Sequence, residues 1–203
     1  GGGPTHNCIA DLALYHAIPN LTVVVPADAG QCCKAIRRSM TYHGPMVIRI
    51  DRGGSPNVYA DDSYDFEIGK AIETVPGDDI TLISTGSSVY WSMMAAKKLR
   101  EEHGISARVI DMHTVKPLDT EMLFKCARET GNIITVEEHS INGGLGGTVA
   151  EYLLEEGFCG KFKRVGLPDE FALLGDMDKV YSRYGLDPEG IARTALKLLG
   201  RAQ

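Results

Sequence analysis

The chain of 203 residues lacks a long hydrophobic run, since no stretch approaches the roughly 18 to 20 apolar residues that cross a bilayer. It also lacks an excess of basic residues. A formal net charge of −6 speaks against binding to nucleic acid or to an anionic membrane surface, whose phosphates attract basic patches. We therefore expect neither a nucleic-acid partner nor a membrane partner.

Cysteine is sparse and shows no pairing pattern. The cysteines are odd in number and form no C-x-x-C pair: Cys8, Cys32, Cys33, Cys126 and Cys159. The sequence lacks the four closely spaced Cys or His ligands that a structural zinc site needs. We expect reduced thiols packed as small apolar side chains, a cytoplasmic protein and no metal site.

Short apolar runs alternate with segments of helical period along the whole chain. Residues 21–25 (LTVVV) and 46–50 (MVIRI) are typical of strands, and Asp28 is placed to cap a helix between them. After residue 78 the alternation continues with strands at ITLIS, SARVIDM, NIITVEE and near Phe162–Val165. This order predicts an α/β protein with mostly parallel sheets that are covered on both faces.

Capping residues indicate several helix boundaries. Gly104 and Gly131 are placed to end two helices in the left-handed conformation that glycine allows. Asp119 is placed to cap the second of these helices, and Asp187 followed by Pro188 is typical of a helix start.

One segment interrupts the alternation. Residues 51–65 (DRGGSPNVYADDSYD) are rich in Gly, Pro, Asn, Ser and Asp and have no period, which is typical of a linker. We therefore expect two α/β units of three layers each, of which the first is incomplete. The expected bounds are 1–60 for the first unit, 61–77 for the linker with the strand that leads into the second unit, and 78–203 for the second unit.

Two motifs near residue 140 could carry chemistry. The backbone N–H groups of NGGLGG (residues 142–147) could hold an anion, or the glycines could simply allow a tight turn between strand and helix. The stretch matches neither the dinucleotide pattern nor the P-loop. The preceding EEH (residues 137–139) could supply metal ligands or an acid–base pair, or could be an interface cluster. We favour the tight turn and the interface cluster.

Two further residues are candidates for a functional site. His6 follows Pro4 in GGGPTH, where glycines let the backbone approach a ligand and an imidazole can move a proton near neutral pH. Arg52 follows the MVIRI strand, where a guanidinium at a strand end can clamp a phosphate.

The chain resembles the thiamine-diphosphate-dependent transketolases. The later half of their pyrimidine-binding domain is similar to GPTHNCIADLALYHAIPNLTVVVPADAGQCCKAI and to the RIDRG that follows. The C-terminal domain of the superfamily is similar to VIDMHTVKPLD and to IITVEEHSINGGLGGTVAEYL. Deoxyxylulose-phosphate synthases also share the patterns D-M-x-x-V-K-P-L-D and T-V-E-E. The resemblance covers nearly the whole chain.

The resemblance implies a role for each candidate residue. As the histidine of GPTH, His6 would be catalytic: it would lie near the reacting carbon and hydrogen-bond the hydroxyls of the sugar. Arg52 would bind the sugar phosphate. Gly2 stands where family members often carry an acidic residue, and Asn7 stands where glutamine is usual.

The resemblance also implies thiamine diphosphate and a divalent metal, Mg²⁺ or Ca²⁺, in the intact enzyme. In the family, the glutamate that activates the cofactor lies upstream of GPTH, and the diphosphate-binding motif belongs to a different domain. We therefore expect residues 1–203 to contain no cofactor or metal ligand, to bind no cofactor and to be inactive alone.

The implied reaction transfers a two-carbon ketol unit from a ketose phosphate to an aldose phosphate. The implied partners are sugar phosphates and either an upstream region or a separate diphosphate-binding subunit, in a homodimer or heterotetramer. Three alternatives stay open: part of a deoxyxylulose-phosphate synthase, a non-catalytic dimerisation or assembly module, and a pyruvate-dehydrogenase-type β subunit.

Overall fold

The computed structural model describes residues 8–51, 56–173 and 175–201. The first unit contains the short helix α1 (Asp11–His16), strand β1 (Thr22–Val24), helix α2 (Ala29–Ser39) and strand β2 (Met46–Ile48). As the sequence predicts, Asp28 caps α2, because its Oδ1 accepts a hydrogen bond from the Gln31 amide at 2.8 Å.

The first sheet takes one of its three strands from the second half of the chain. Its order is β2-β1-β6, where β6 is Thr114–Lys116. β1 runs parallel to β2 and antiparallel to β6. The sequence does not predict β6, since three residues are too few to show a period. This strand joins the two units through backbone hydrogen bonds.

The second sheet has five strands in the order β3-β5-β4-β7-β8. Only the β3–β5 pairing is antiparallel within this described sheet, and the other pairings are parallel. The strands are β3 (Ile72–Val75), β4 (Ile80–Ser84), β5 (Ala107–Asp111), β7 (Asn132–Ser140) and β8 (Lys161–Leu167). The helices are α3 (Ser88–His103), α4 (Thr120–Thr130), α5 (Leu145–Glu155), α6 (Met177–Tyr184) and α7 (Pro188–Leu199). The predicted α/β class with mostly parallel strands is confirmed.

The predicted helix boundaries are also present. Gly104 and Gly131 follow α3 and α4 with φ of 62° each. Asp119 accepts a hydrogen bond from the Met122 amide, and Asp187 accepts one from the Gly190 amide. Helices α1 and α6 have no clear signal in the sequence and are not predicted by it.

Two hydrophobic cores cover opposite faces of the second sheet. Leu82 packs in one core with Leu99 of α3, and Ile83 packs in the other with Leu123 of α4, because successive side chains of a strand point to opposite faces. The second core also contains Leu12, Leu21, Val23 and Val25 of the first unit. The two units therefore share this second core. No helix in the described part of the chain is long and apolar enough to cross a membrane.

Candidate functional site

His6 and Arg52 lie outside the described residues, as do Gly2 and Asn7. Their predicted roles stay predictions. The chain segments next to them are described, however, and these segments meet at the boundary between the two units.

Arg49 connects the residues that follow His6 to the strand that precedes Arg52. Its Nε donates a hydrogen bond to Asp11 Oδ2 at 2.7 Å, and its Nη2 donates to the carbonyl oxygen of Cys8 at 3.3 Å. Nη2 also donates to the carbonyl oxygen of Glu138, on β7 of the second unit, at 3.3 Å. One guanidinium therefore ties together three separate parts of the chain.

A crevice lies beside Arg49, between the two sheets. It is lined by Pro26 after β1, Arg49 and Asp51 after β2, Ser87 after β4, and Glu138 near the end of β7. Each of these residues follows or approaches the carboxyl end of a parallel strand, which is where α/β sheets commonly bind ligands. The two sheets thus present their carboxyl ends to the same crevice.

Glu138 is the acidic group that faces this crevice from the second unit. Its Oε2 accepts a hydrogen bond from Ser87 Oγ at 2.7 Å, and Tyr181 is a second hydrogen-bond partner. Burial raises the pKa of Glu138, and the Asp51 carboxylate raises it further, whereas these hydrogen bonds and Arg49 oppose the shift. Burial also raises the pKa of the Tyr181 hydroxyl.

The glycine-rich turn does hold an anion, but that anion is the carboxylate of Glu137. Its Oε2 accepts from the Leu145 amide at 2.7 Å and its Oε1 from the Gly146 amide at 2.9 Å, at the N-terminus of α5. A Cβ atom on Gly144 would collide with the same carboxylate. Burial raises the pKa of Glu137 to about 7, against the effect of the two amides. The favoured interpretation, a tight turn, agrees with this arrangement.

His139 binds the segment that follows the predicted His6 loop. Its Nε2 accepts a hydrogen bond from the Leu12 amide at 3.2 Å, and its Nδ1 lies 2.7 Å from the carbonyl oxygen of Ser140. These two partners require a neutral imidazole with its proton on Nδ1, and burial lowers the pKa of His139 accordingly. The Ser140 amide also donates to the carbonyl oxygen of Ile9 at 2.8 Å.

The EEH motif is therefore an interface cluster, as favoured from the sequence. Glu137 binds a helix terminus, Glu138 faces the crevice, and His139 binds the first unit. Among the described residues, no group of three or more His, Cys, Asp or Glu side chains could hold a metal ion.

The segment interpreted as a linker from its composition, residues 51–65, is bound to both units in its described part, which the sequence does not reveal. Residues 56–71 contain neither helix nor strand, yet Asp28 Oδ2 accepts from the amides of Val58 and Tyr59 at 2.8 and 3.1 Å. Asp111, at the end of β5, accepts from the Tyr59 hydroxyl and from Gln31 Nε2, both at 2.6 Å. Burial raises the pKa of Asp111 to about 7.

Arg49 is not among the residues predicted from the sequence, although the sequence does indicate it. The arginine interrupts an otherwise apolar strand, MVIRI, and a charged residue in such a run indicates a buried partner. It could not indicate which acceptors the guanidinium binds, because they come from α1, from the chain before α1 and from β7.

Two family descriptions match this sequence. The one described as "Transketolase, pyrimidine binding domain" matches residues 1–56, and the one described as "Transketolase, C-terminal domain" matches residues 69–191. The resemblance inferred from the sequence is thus confirmed.

Curated relatives are named as a transketolase subunit or as a deoxyxylulose-phosphate synthase. A subunit of the apulose-4-phosphate transketolase of Phocaeicola vulgatus is 42% identical over 197 residues, which are 97% of this chain and 62% of the relative. 1-deoxy-D-xylulose-5-phosphate synthase 1 of Geobacter sulfurreducens is 36% identical over 192 residues, which are 94% of this chain and 30% of the relative. The chain therefore spans only part of the length of these proteins.

A solved structure shows the same fold. A split-gene transketolase, described as an "inactive beta4 tetramer", superposes with a TM-score of 0.89 at 38% identity. The match covers 100% of this chain and 65% of that chain. Together with the two family matches, this superposition shows that the chain belongs to the transketolase family.

Proposed function

We propose that this chain is part of an enzyme that transfers a two-carbon ketol unit from a ketose phosphate to an aldose phosphate. The observation that carries the proposal is the similarity, over 97% of the chain, to a protein named as one subunit of a transketolase. The crevice at the carboxyl ends of both sheets supports it, because the segments that flank the two predicted site residues meet there.

In this proposal His6 is catalytic and Arg52 binds the substrate phosphate. His6 hydrogen-bonds the sugar hydroxyls and assists proton transfer, a contribution of about 10²- to 10⁴-fold for a positioned acid–base group. Arg52 forms charge-assisted hydrogen bonds with the phosphate. His6 stands two residues before Cys8 and Arg52 three residues after Arg49, and the Arg49 guanidinium hydrogen-bonds Cys8.

Thiamine diphosphate supplies the carbanion chemistry of such a transfer when it is bound. The described residues do not fit the metal–diphosphate end of this cofactor, since they include no set of carboxylate, imidazole or thiol ligands for a metal. We therefore derive no step through the cofactor, and we propose that residues outside this chain or a separate polypeptide hold it. The words "subunit" and "split gene" in the names of similar proteins favour the separate polypeptide.

The assembly that we propose is a homodimer or heterotetramer in the cytoplasm. We further propose that residues 1–60 belong to its pyrimidine-binding domain and residues 78–203 to its C-terminal domain, with 61–77 between them. Residues 1–203 would be inactive without the rest of that assembly.

Substitution of His6 tests the catalytic role in the intact assembly. We expect His6→Ala to lower kcat by about 10²-fold or more while the dissociation constant of thiamine diphosphate changes little. An unchanged kcat would remove His6 from the reaction.

Substitution of Arg52 tests phosphate recognition. We expect Arg52→Ala to raise KM for phosphorylated sugars by about tenfold or more and to leave unphosphorylated sugars nearly unaffected, because a charge-assisted clamp is lost. An equal effect on both classes of sugar would contradict the clamp.

A second candidate function is that of a deoxyxylulose-phosphate synthase, which the 36% identical synthase of Geobacter sulfurreducens favours. That enzyme would take its two-carbon unit from pyruvate and release carbon dioxide. Supplying pyruvate with an aldose phosphate therefore distinguishes the two, because only the synthase releases carbon dioxide.

A further inference from the structure

We infer that Arg49 and His139 hold the segment Cys8–Leu12, which follows the predicted His6 loop, in place: Arg49 binds Asp11 and Cys8, and His139 binds the Leu12 amide. We call Asp11, Arg49 and His139 the Arg49 clamp. These are positioning residues, since each acts on the loop through the segment Cys8–Leu12 and none is assigned a contact with the substrate. The inference rests on the proposed function, because that proposal makes the His6 loop part of the active site.

Arg49 is the centre of the clamp. Its side chain is 20% exposed and that of Asp11 is 14% exposed, so their ion pair at 2.7 Å is largely shielded from water. The planar guanidinium presents its donors in a fixed geometry, and it uses them on Asp11, on Cys8 and on Glu138. A lysine carries the same charge but cannot reproduce this three-way arrangement.

His139 binds the same segment. Its Nε2 accepts from the Leu12 amide, and the neighbouring Ser140 amide donates to the Ile9 carbonyl oxygen. Three residues of the segment therefore have hydrogen-bond partners outside it: Cys8 with Arg49, Ile9 with Ser140 and Leu12 with His139. Leu12 is also buried in the shared core, at 1% exposure.

This arrangement makes the position of the segment depend on the second unit. The β7 groups that make these hydrogen bonds all lie at residues 138–140, near the carboxyl end of the strand. A misplacement of about 1 Å in a catalytic group can cost on the order of 10² in rate. Weakening the clamp is therefore expected to lower kcat without removing a group that touches the substrate.

The test uses the intact enzyme that contains this chain, together with its cofactor-binding part. Arg49→Ala and Arg49→Lys are compared with Arg108→Ala as a matched control. Arg108 is a buried arginine that likewise pairs with a carboxylate, Glu129, and donates to a backbone oxygen, that of Gly77. It lies on the second sheet and makes none of the clamp contacts.

Two quantities are measured for each variant: kcat, and amide hydrogen exchange over residues 8–16. For Arg49→Ala we expect exchange faster by about tenfold or more, because local opening becomes easier, with kcat lower by about 10-fold to 10²-fold. Arg49→Lys should recover only a small part of either loss. The dissociation constant of thiamine diphosphate should stay within about twofold. Arg108→Ala should leave kcat and this exchange within about twofold of wild type.

Each other result overturns the inference. Unchanged exchange in Arg49→Ala would show that the clamp does not hold the segment, and faster exchange with unchanged kcat would show that its position does not matter. Should Arg49→Ala fail to fold, Asp11→Asn and His139→Phe replace it, with His139→Gln as the variant that keeps a hydrogen-bond acceptor and should recover part of kcat. A wild-type assembly without ketol transfer would overturn the proposed function and the catalytic role of the clamp, whereas the exchange result would still decide whether the clamp holds residues 8–16.

Discussion

Replacing the buried carboxyl of Asp111 by an amide should change how the stability of the protein depends on pH. Asp111 is fully buried, and its Oδ2 accepts hydrogen bonds from Gln31 and Tyr59 at 2.6 Å. Its Oδ1 is buried and has no hydrogen-bond partner in the described structure. Burial raises the pKa of this carboxyl from 3.8 to about 7, with a smaller contribution from Asp28, against the effect of the two hydrogen bonds.

The direction in which stability changes with pH follows from the raised pKa of Asp111. The pKa in the fold lies above that of the unfolded chain, so the protonated carboxyl favours folding. This contribution is fully present below about pH 3.8 and is lost as the pH rises through about 7. With these two values, Asp111 lowers the free energy of unfolding by about 2 to 3 kcal/mol between pH 5 and pH 8.5.

Asp111→Asn removes this titration and keeps one oxygen for both donors. The new amide nitrogen replaces the unpartnered Oδ1, so the variant should lose about 1 to 3 kcal/mol at pH 5. Between pH 5 and pH 8.5, the free energy of unfolding of Asp111→Asn should then fall by about 2 to 3 kcal/mol less than that of wild type. Urea unfolding at a series of pH values measures both quantities.

Two comparisons make the measurement specific. Asp178→Asn removes an exposed carboxylate from α6 and should leave the pH dependence of wild type unchanged. Glu137, whose pKa burial also raises to about 7, contributes with the same sign in wild type and in Asp111→Asn, so the difference between them isolates Asp111. An identical pH dependence in wild type and Asp111→Asn would refute the reasoning.

Two further predictions concern helix starts, and each has a control in the same chain. Gly146→Ala should cost about 1 to 3 kcal/mol in urea unfolding, because its Cβ would lie 2.5 Å from Thr135 Oγ1; Gly147→Ala, with open space at that position, should instead stabilise by about 0.5 to 1 kcal/mol. Asp187→Ala should cost about 1 kcal/mol because it removes the cap of α7, whereas Asp176, which makes no capping bond, should tolerate alanine within about 0.5 kcal/mol. Equal effects within either pair would contradict these assignments.

Local signals in the sequence predict most elements of the fold. Asp28, Asp119 and Asp187 cap helices through their own side chains, and Gly104 and Gly131 end helices because only glycine adopts positive φ without strain. Each of these effects depends on residues a few positions away in the chain, so it can be predicted from the sequence.

Elements that depend on distant partners are not predictable in the same way. Strand β6 exists because three residues pair with β1, which lies about ninety positions earlier in the chain. The linker after residue 55 is held by Asp28 and Asp111, whose carboxylates belong to the start of α2 and to β5. Nothing local to the linker indicates either contact.

The sequence indicates the cluster near residue 140 but not its contacts, and the roles of His6 and Arg52 stay predictions. The sequence shows a cluster at EEH, for which it favours an interface role, and a glycine-rich stretch at NGGLGG, for which it favours a tight turn. The hydrogen bonds that Glu137 itself accepts from the amides of Leu145 and Gly146 are seen only in the folded structure, because they join residues eight and nine positions apart across a turn. The hydrogen bond from the Leu12 amide to His139 spans 127 positions of sequence.

Reconstitution tests the proposed activity most directly. The intact protein that contains this chain is purified and combined with the proposed diphosphate-binding partner, thiamine diphosphate and Mg²⁺. Ketol transfer from a ketose phosphate to an aldose phosphate is then measured. We expect transfer by the combined components and none by either component alone. Transfer by one component alone would contradict the two-part assembly, and a complete assembly that binds thiamine diphosphate but transfers no ketol unit would contradict the proposed function.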